Sequence, residues 1–409
     1  MFASAMRWSG HAVPGTARWA RLAVSACWAF GPAAVLGQAF EPYGFARRVE
    51  LPTGAGPIDA LPDGRLIALL QDDVYVQNCF DPERIEWMGT LPDADLASFG
   101  AAFVRVSPDG TRIAVGNNGG ASLVDFEVGV FELPGLAGVW FTGGHFDANW
   151  YDDTLLALTA GDFVNPGVVT MLDTASPIPG APVNTVVVDN IGGGSGGVTF
   201  DAVGNLYTGN GFALFGPSDT GHVRAFDFAS WSPALSGGMP VDFEVDGVLI
   251  IDALSASPLH FDASGNLLIG GGDFSGGDID AVAVVDATAV ADALGGFGPA
   301  NVFDATQVQR LDPDTTTEFN FYGVVHNPGT DEVLVTDGPV HAFAPRVCES
   351  SGDCDDAVDF TDDYCTAEGI CLHVPAVRGD TACATDGTVD IFDILAVLDA
   401  FAGTSPCCD

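Results

Sequence analysis

Hydrophobic residues along most of this chain come in short runs, each bounded by a tight polar turn or a glycine-rich loop. Six stretches share one order of elements: apolar strand, tight turn, apolar strand, glycine-rich loop, apolar strand. They begin at Ile58, Phe103, His145, Val198, Leu259 and Tyr322. Their turns recur roughly every 43 to 65 residues, which is the period of a supersecondary repeat. The pattern therefore predicts an all-β fold built from similar units.

The turns carry the residues that a reversal of the backbone needs. Residues 62–64 and 108–110 read Pro-Asp-Gly, in which proline presets φ and glycine takes the left-handed position. Gly204 and Gly265, each followed by asparagine, serve the same purpose. Four of the third strands end in aspartate, namely Asp125, Asp173, Asp227 and Asp286. Such a unit of three or four strands cannot bury both faces alone, so radial stacking of the units is favoured.

This repeat resembles the β-propeller superfamily, in particular WD-, YVTN- and NHL-like repeats, over roughly residues 45–345. The resemblance implies that the strand before each turn is innermost and lines a central channel. It also implies that residues 45–51 close the ring by pairing into the last blade. Six blades are counted, and seven are an alternative because the segments 230–256 and 290–320 are long. A pair of β-sandwiches is the rival fold.

The net charge of the chain excludes several classes of binding partner. The chain of 409 residues has 55 acidic side chains against 13 basic ones, all of them arginine, for a formal net charge of −42. Such a surface repels nucleic acid and anionic lipid surfaces. Three arginines precede an apolar run at 22–39 that ends in small residues, which is typical of an export signal and too short for a stable membrane span. We therefore expect an exported protein that is extracellular, at the cell surface or periplasmic, and that does not span a membrane.

Candidate sites on the repeats are of two kinds. Loops between second and third strands carry Asp162, Asp219, Asp273, Asp278 and Asp280, oxygen donors of the type that Ca²⁺ takes, although aspartate is also common in ordinary turns. His145 and His260 each stand in a His-Phe-Asp sequence before a turn, which suggests either a metal or proton-transfer role or a shared structural role. We find no nucleophile elbow, zinc-spaced histidine pair, phosphate loop or dinucleotide fingerprint.

Seven of the nine cysteines lie between Cys348 and Cys408. Cys348, Cys354, Cys365 and Cys371 resemble a short Cys-rich repeat of exported bacterial proteins, except that Phe360 stands where that repeat has another cysteine. Four cysteines allow two disulfide bridges, whose pairing the sequence leaves open. A zinc site is the weaker alternative, because no Cys-x-x-Cys pair is present in this stretch and exported cysteines usually oxidise.

The stretch DGTVDIFDILAVLDAF at 386–401 joins an acidic turn to an amphipathic helical pattern. With Gly387 at the sharp turn of an EF-hand loop, Ca²⁺ ligands fall at Asp386, the Thr388 carbonyl, Asp390 and Asp393. Loop and helix together resemble a single dockerin-type repeat, a family whose loops bind Ca²⁺ and whose paired repeats dock onto cohesin modules. Two further ligand positions hold Ala382 and Ala384, so Asp380 is the nearest substitute donor.

These patterns predict four segments: a signal peptide at 1–39, a β-propeller at 40–346, a disulfide-stapled Cys-rich link at 347–375 and a dockerin-like EF-hand half-module at 376–409. The expected function is non-catalytic: a propeller that binds an extracellular protein or glycan, and a calcium-dependent tether to a cohesin-like or cell-surface anchor. The alternative is a propeller enzyme, a metal-dependent hydrolase or lactonase with its site at the channel mouth.

The calcium loop yields a direct test. The segment 346–409 should gain helix when calcium is added, with a Kd on the order of 10⁻⁴ to 10⁻³ M because two side-chain ligands are lost. Asp393→Ala should abolish the response measured by circular dichroism, and Ala382→Asp with Ala384→Asn should tighten binding. Calorimetry without calcium heat from either the native or the restored loop would show that the metal assignment is wrong.

Overall fold

The computed structural model describes most of the repeat region and a short hairpin that follows it. The described residues are 39–49, 51, 56–78, 84–92, 101–117, 127–142, 146–160, 166–175, 184–192, 195–210, 221–253, 256–271, 281–312, 323–336, 339–348, 361–366 and 369–375. The predicted signal peptide, except for Ala39, and the dockerin-like segment 376–409 lie outside these residues. No helix among the described residues is long and apolar enough to cross a membrane.

The strands form six sheets of four or five strands and one two-stranded hairpin. The N-terminal strand, β1, is Tyr43–Val49. Blade 1 contains β2 Ile58–Ala60, β3 Leu66–Leu70, β4 Asp73–Gln77 and β5 Ile85–Thr90. Blade 2 contains β6 Ala101–Val106, β7 Arg112–Asn117, β8 Glu127–Glu132 and β9 Gly138–Thr142. Blade 3 contains β10 Asp147–Trp150, β11 Leu155–Ala160, β12 Gly167–Asp173, β13 Asn184–Ile191 and a fifth strand, β17 Val241–Asp242.

The remaining three blades follow the same plan. Blade 4 contains β14 Ser195–Phe200, β15 Leu206–Asn210, β16 Gly221–Phe226, β18 Val248–Ala253 and a fifth strand, β22 Ala300–Asn301. Blade 5 contains β19 Leu259–Phe261, β20 Leu267–Ile269, β21 Val282–Val285 and β23 Val308–Leu311. Blade 6 contains β24 Gly323–Asn327, β25 Glu332–Thr336, β26 Val340–Pro345 and β1.

The first strand of each blade contacts the first strands of both neighbouring blades. Contacts run from β2 through β6, β10, β14, β19 and β24 and return to β2, so these strands form a closed inner ring. The protein is therefore a six-bladed β-propeller in which the strand before each tight turn is innermost, as the repeat predicted. The rival pair of β-sandwiches is wrong.

The hydrophobic core is divided into six layers, one between each pair of neighbouring blades. The layer between blades 1 and 2 contains Ile67 and Ile113, and the corresponding layers around the ring are built in the same way. The sixth layer joins blades 6 and 1 through residues such as Leu334 and Leu66. Each blade is apolar on both faces because it belongs to two layers.

Pairing of β1 with β26 closes the ring. Six residue pairs hold the two strands antiparallel, from Tyr43 opposite Pro345 to Val49 opposite Val340. Tyr43 also reaches blade 5, where its backbone exchanges hydrogen bonds with the Gln309 side chain and its hydroxyl donates to Asp262 Oδ2 at 2.7 Å. The predicted closure, in which residues 45–51 pair with the last blade, is confirmed, but the strand begins two residues earlier than expected.

The long segments within 230–256 and 290–320 do not form a seventh blade. In blade 4 the connection from β16 to β18 contains helix α1 Phe228–Trp231, a 3₁₀ turn Ser232–Ser236, strand β17 and helix α2 Phe243–Asp246. In blade 5 the connection from β21 to β23 contains helix α3 Ala287–Leu294 and strand β22. Each short strand pairs in parallel with the outer strand of the preceding blade. We call these two connections, from β16 to β18 and from β21 to β23, the clasps, because each pairs its own blade with the preceding blade.

The turn glycines adopt the conformations that the sequence predicted, with φ of 90° at Gly64, 71° at Gly110, 87° at Gly204 and 84° at Gly265. Gly64 meets a further demand, because it lies against Gly329 in the corresponding turn of blade 6. A Cβ atom on Gly329 would stand 2.4 Å from the Gly64 backbone. The Asn327 side chain donates to the Gly64 carbonyl at 2.7 Å. The first and last turns of the ring are thus in direct contact.

The turns of blades 4 and 5 share an aspartate and an asparagine four residues apart. Asp262 Oδ1 accepts hydrogen bonds from two backbone amides of its own turn, and its Oδ2 accepts from the Asn266 side chain. Asn266 Oδ1 in turn accepts from the Ala287 amide at the start of α3. Asp201, Asn205 and Phe228 repeat this arrangement at the start of α1. The turn therefore positions the beginning of each clasp.

After the propeller, β27 Thr361–Cys365 and β28 Cys371–Pro375 form a hairpin. Amides of Val347 and Cys348 donate to the Gly369 carbonyl, and a disulfide joins Cys348 to Cys365. Cys371 is also disulfide-bonded. The expectation of disulfides in this stretch is met at these three cysteines, and Cys354 lies outside the described residues.

We predict that Tyr43→Phe lowers the free energy of unfolding by about 1–2 kcal/mol, because it leaves the buried Asp262 carboxylate without one of its donors. Urea denaturation monitored by tryptophan fluorescence measures the change. Tyr75→Phe is the matched control, since Tyr75 is half-buried on the outer part of blade 1 and its hydroxyl makes no hydrogen bond to any described residue. Equal stability of the wild type and Tyr43→Phe would contradict this role in closure.

Candidate functional site

A cavity of about 400 Å³ lies at the end of the channel where the turns between first and second strands emerge. We call it the mouth cavity. Its walls come from every blade and include three turn prolines. The lining residues are Asp59, Ala60, Pro62, Val106, Ser107, Pro108, Asn149, Thr199, Phe200, His260, Phe261, His326 and Pro328. Because the strands of each blade are antiparallel, this end is opposite to the one from which the loops between second and third strands emerge.

One position in each inner strand supplies most of the polar groups. In blades 1 to 5 the first residue of the turn donates a backbone hydrogen bond across the turn; these residues are Leu61, Ser107, Tyr151, Asp201 and Asp262. In blade 6 Asn327, which lies opposite Glu332, takes the same place. The residue two places before each of them is therefore equivalent in all six blades. In blades 1 to 6 this position is held by Asp59, Arg105, Asn149, Thr199, His260 and Val325. We call these six residues the inner belt.

Arg105, the belt residue of blade 2, forms a buried ion pair with blade 3. Arg105 Nη2 donates to Asp147 Oδ1 at 2.5 Å, and the two side chains are 5% and 2% exposed. The guanidinium also donates to the carbonyls of Ala148 and Val104. Burial raises the pKa of Asp147, and the Arg105 charge opposes that rise. Each guanidinium nitrogen of Arg105 therefore has a partner, and removal of either member of the ion pair would leave an uncompensated buried charge.

Asp59 joins blades 1 and 2. Its Oδ1 accepts from the Ala60 amide at 2.8 Å and its Oδ2 accepts from the Val106 amide at 2.6 Å. Burial raises the pKa of Asp59 to about 6, against the opposing effects of Arg105 and the two amide hydrogen bonds. Both carboxylate oxygens are engaged with the backbone, so Asp59 serves mainly to align two inner strands.

The belt continues into blade 4 and then stops. Asn149 Nδ2 donates to Thr199 Oγ1 at 3.1 Å, which links blades 3 and 4. The next member, His260, is different, because its Nε2 is buried and has no hydrogen-bond partner within the described part of the chain. A buried polar atom without a partner costs free energy, so an unpaired nitrogen in a cavity wall is a candidate ligand contact.

The imidazole of His260 is neutral at ordinary pH. Desolvation lowers its pKa well below the usual value, and the positive charge of Arg105 and the neighbouring His326 act in the same direction. His326 itself is engaged, since its Nε2 lies 2.8 Å from Asp331 Oδ1. The two histidines therefore differ: Nε2 of His326 is paired with a carboxylate, and Nε2 of His260 is buried without a partner among the described residues.

The sequence predictions for the propeller are met only in part. The loops that contain Asp162, Asp219, Asp273, Asp278 and Asp280 lie outside the described residues, as does His145. The proposed match between His145 and His260 is wrong, because turn alignment puts Asn149 in the position of His260. His326 lies one position beyond that slot, next to Val325.

Sequence reasoning missed Asp59, Arg105 and Asp147. A signal was present, since each places a charge within or beside an apolar first strand, where an exposed charge is not expected. The calcium ligands predicted at Asp380, Asp386, Thr388, Asp390 and Asp393 lie outside the described residues. Within the part of the chain that the structure describes, no group of three His, Cys, Asp or Glu side chains is arranged to hold a metal ion.

No family model matches this chain, and no curated protein matches it. Among solved structures, it is similar to the calcium-binding protein regucalcin from Agrobacterium tumefaciens, at 11% identity and a TM-score of 0.44, over 74% of this chain and 94% of that one. It is also similar to the soluble aldose sugar dehydrogenase of Escherichia coli, at 13% identity and a TM-score of 0.46, over 74% and 98%. At these identities the likeness concerns the fold alone.

Asp59 gives a pH-dependent prediction. Its pKa of about 6 in the fold exceeds the ordinary 3.8, so the folded state favours the protonated form. Its contribution to stability is therefore complete below pH 4 and is lost as the pH rises through 6, by about 3 kcal/mol in all. Asp59→Asn, which cannot ionise, should remove this decline.

Urea denaturation of the wild type and of Asp59→Asn between pH 3.5 and 7 tests the point. The variant loses one amide acceptor, which lowers stability by an amount independent of pH, so the difference in slope is the readout. Asp292→Asn, at an exposed position of α3, is the matched control and should leave the slope almost unchanged. Parallel curves for the wild type and Asp59→Asn would contradict the raised pKa.

Proposed function

We propose that this chain is an exported, non-catalytic binding protein. Its propeller is a rigid platform that holds an extracellular ligand in the mouth cavity, and its C-terminal segment tethers the platform to a surface or a partner. The unpaired Nε2 of His260 in the cavity wall is the observation that carries the proposal.

The construction of the mouth cavity supports binding rather than chemistry. The two buried acids nearby are already engaged, Asp59 with backbone amides and Asp147 with Arg105. The neutral groups Asn149, Thr199 and His260 remain to face a ligand. A concave site of this volume, with several convergent polar atoms, is typical of small-molecule recognition.

The tether rests on the sequence. The proposed calcium loop with Asp386, Thr388, Asp390, Asp393 and Asp380 belongs to a dockerin-like half-module, and the partner is then a cohesin-like or other cell-surface anchor. The disulfide between Cys348 and Cys365 supports this arrangement, since it fastens the chain to a short hairpin directly after the propeller. Such a covalent link suits an oxidising compartment outside the cytoplasm.

The alternative is a metal-dependent hydrolase or lactonase with its site at the channel mouth. Clustered Asp, Asn and His side chains at one mouth are the feature that we expect of such an enzyme, and the mouth cavity does contain Asp59, Asn149, His260 and His326. Activity would require a free carboxylate or a ligated metal among them. The engagement of Asp59 with two amides and of His326 with Asp331 makes binding the better-supported function.

Obstruction of the mouth cavity tests the proposal. We expect that the full chain binds at least one of five probes in saturation-transfer NMR: glycerol, D-glucose, citrate, choline or triglycine. Pro328→Trp, which places a bulky ring on the exposed rim, should weaken that binding at least ten-fold. Val203→Trp is the matched control, since Val203 is 75% exposed on the turn of blade 4 and does not line the cavity.

Two results would overturn the proposal. Binding of every detected probe that is equal in wild type and Pro328→Trp would put the site elsewhere. Metal-stimulated hydrolysis of a simple γ-lactone that Pro328→Trp abolishes would favour the enzymatic alternative.

A further inference from the structure

The inner belt is a series of polar links between neighbouring blades, and it is incomplete on one side. Asp59 bonds to the Val106 amide, Arg105 bonds to Asp147, and Asn149 bonds to Thr199. These links cover blades 1 to 4. Blades 5 and 6 contribute His260, whose Nε2 has no partner, and Val325, which has no polar side chain. The gap in the belt therefore lies beside Thr199 and His260, both of which line the mouth cavity.

The atoms around the gap suit hydroxyl groups. The Thr199 oxygen accepts from Asn149, so its own hydroxyl hydrogen is available to donate. Asn149 keeps its side-chain carbonyl for a second donor. The neutral His260 nitrogen either donates or accepts one hydrogen bond, depending on its tautomer. A ligand that bonds to all three side chains must both donate and accept hydrogen bonds, and a hydroxyl group does both.

The walls suit an apolar ring face. Phe200 and Phe261 are half-buried and line the cavity, and each is held edge-on by a neighbouring tyrosine, with ring centroids 5.0 Å apart for Tyr151–Phe200 and 4.8 Å apart for Tyr207–Phe261. The rim prolines Pro62, Pro108 and Pro328 add rigid apolar surface. Fixed walls reduce the conformational entropy that the protein loses when a ligand binds.

The charges around the gap favour a neutral ligand. The net charge of −42 repels anions over the whole surface. Arg105 and His326 both act against protonation of His260, and each is paired with a carboxylate, Asp147 and Asp331 respectively. Asp59, the carboxylate that lines the cavity, accepts hydrogen bonds from two backbone amides, so a cation at His260 would find no unengaged carboxylate beside it.

From this geometry we propose that the mouth cavity binds a neutral pyranose sugar, whose hydroxyl groups bond His260 Nε2 and the Asn149–Thr199 pair and thereby complete the inner belt. The sugar is either free or the terminal residue of a glycan. This inference rests on the proposed binding function and specifies its ligand.

The test compares sugars that share one ring and differ in charge. Calorimetry and saturation-transfer NMR with the full chain use D-glucose, D-glucosamine and D-glucuronate, and the galactose and mannose series with their amino and acid forms. We expect that at least one neutral sugar binds and that its charged analogues bind at least ten-fold more weakly. Cellobiose and lactose then separate the two sources, because tighter binding of a disaccharide indicates a glycan end.

Variants assign the contact. His260→Leu should weaken binding of the neutral sugar at least ten-fold, and His260→Gln, which restores a polar atom near Nε2, should recover most of the loss. His222→Leu is the matched control, because His222 is paired with Asp252 in blade 4 and does not line the cavity. Thr199→Val provides an independent reading if His260→Leu does not fold, and thermal melting verifies the fold of each variant.

The possible failures are distinct. Stronger binding of an amino sugar or a uronate, or unchanged affinity in both His260→Leu and Thr199→Val, would overturn the sugar proposal. If no sugar binds but Pro328→Trp weakens the binding of another probe, the sugar proposal is wrong and the proposed binding function stands. If Pro328→Trp weakens the binding of no probe, both proposals are wrong.

Discussion

Closure of the ring by β1 and β26 is the interaction on which the rest of the structure depends. Each blade buries its two faces against two neighbours, so an open ring would expose the layer between blades 6 and 1. That layer includes Val49 of β1 itself, together with Leu66 and Leu334. The same closure brings together the Gly64 and Gly329 turns, whose prolines line the mouth cavity. The stability of the ring and the wall of this cavity therefore both depend on one pair of strands.

Among the described residues, Arg105 is the one arginine that is buried, and its charge acts on the residues of the mouth cavity. The chain has 13 arginines and no lysine, and Arg105 is placed where it neutralises Asp147 and keeps a positive field on His260. Two carboxylates, Asp59 and Asp147, interact with this one guanidinium, so the buried charges beside the mouth cavity largely offset one another.

Much of the fold was predictable because its signals are local. A left-handed turn position needs glycine, so Gly64, Gly110, Gly204 and Gly265 marked the turns, and the strands before them followed. The clasps were not predictable, since strands of two residues such as β17 and β22 carry no periodic pattern. The inner belt was missed for a related reason. Its members are equivalent only by turn alignment, and the repeated His-Phe-Asp sequence pointed to His145 in place of Asn149.

The clasps have a kinetic consequence. Because β17 lies in the connection of blade 4 but pairs with blade 3, and β22 lies in that of blade 5 but pairs with blade 4, these three blades are joined by strands close in sequence. Closure instead joins residues such as Tyr43 and Arg346, which are 303 positions apart. Local contacts form faster than distant ones. The clasp pairings between blades 3, 4 and 5 therefore close much shorter loops than the pairing that closes the ring, and their loop-closure entropy is smaller.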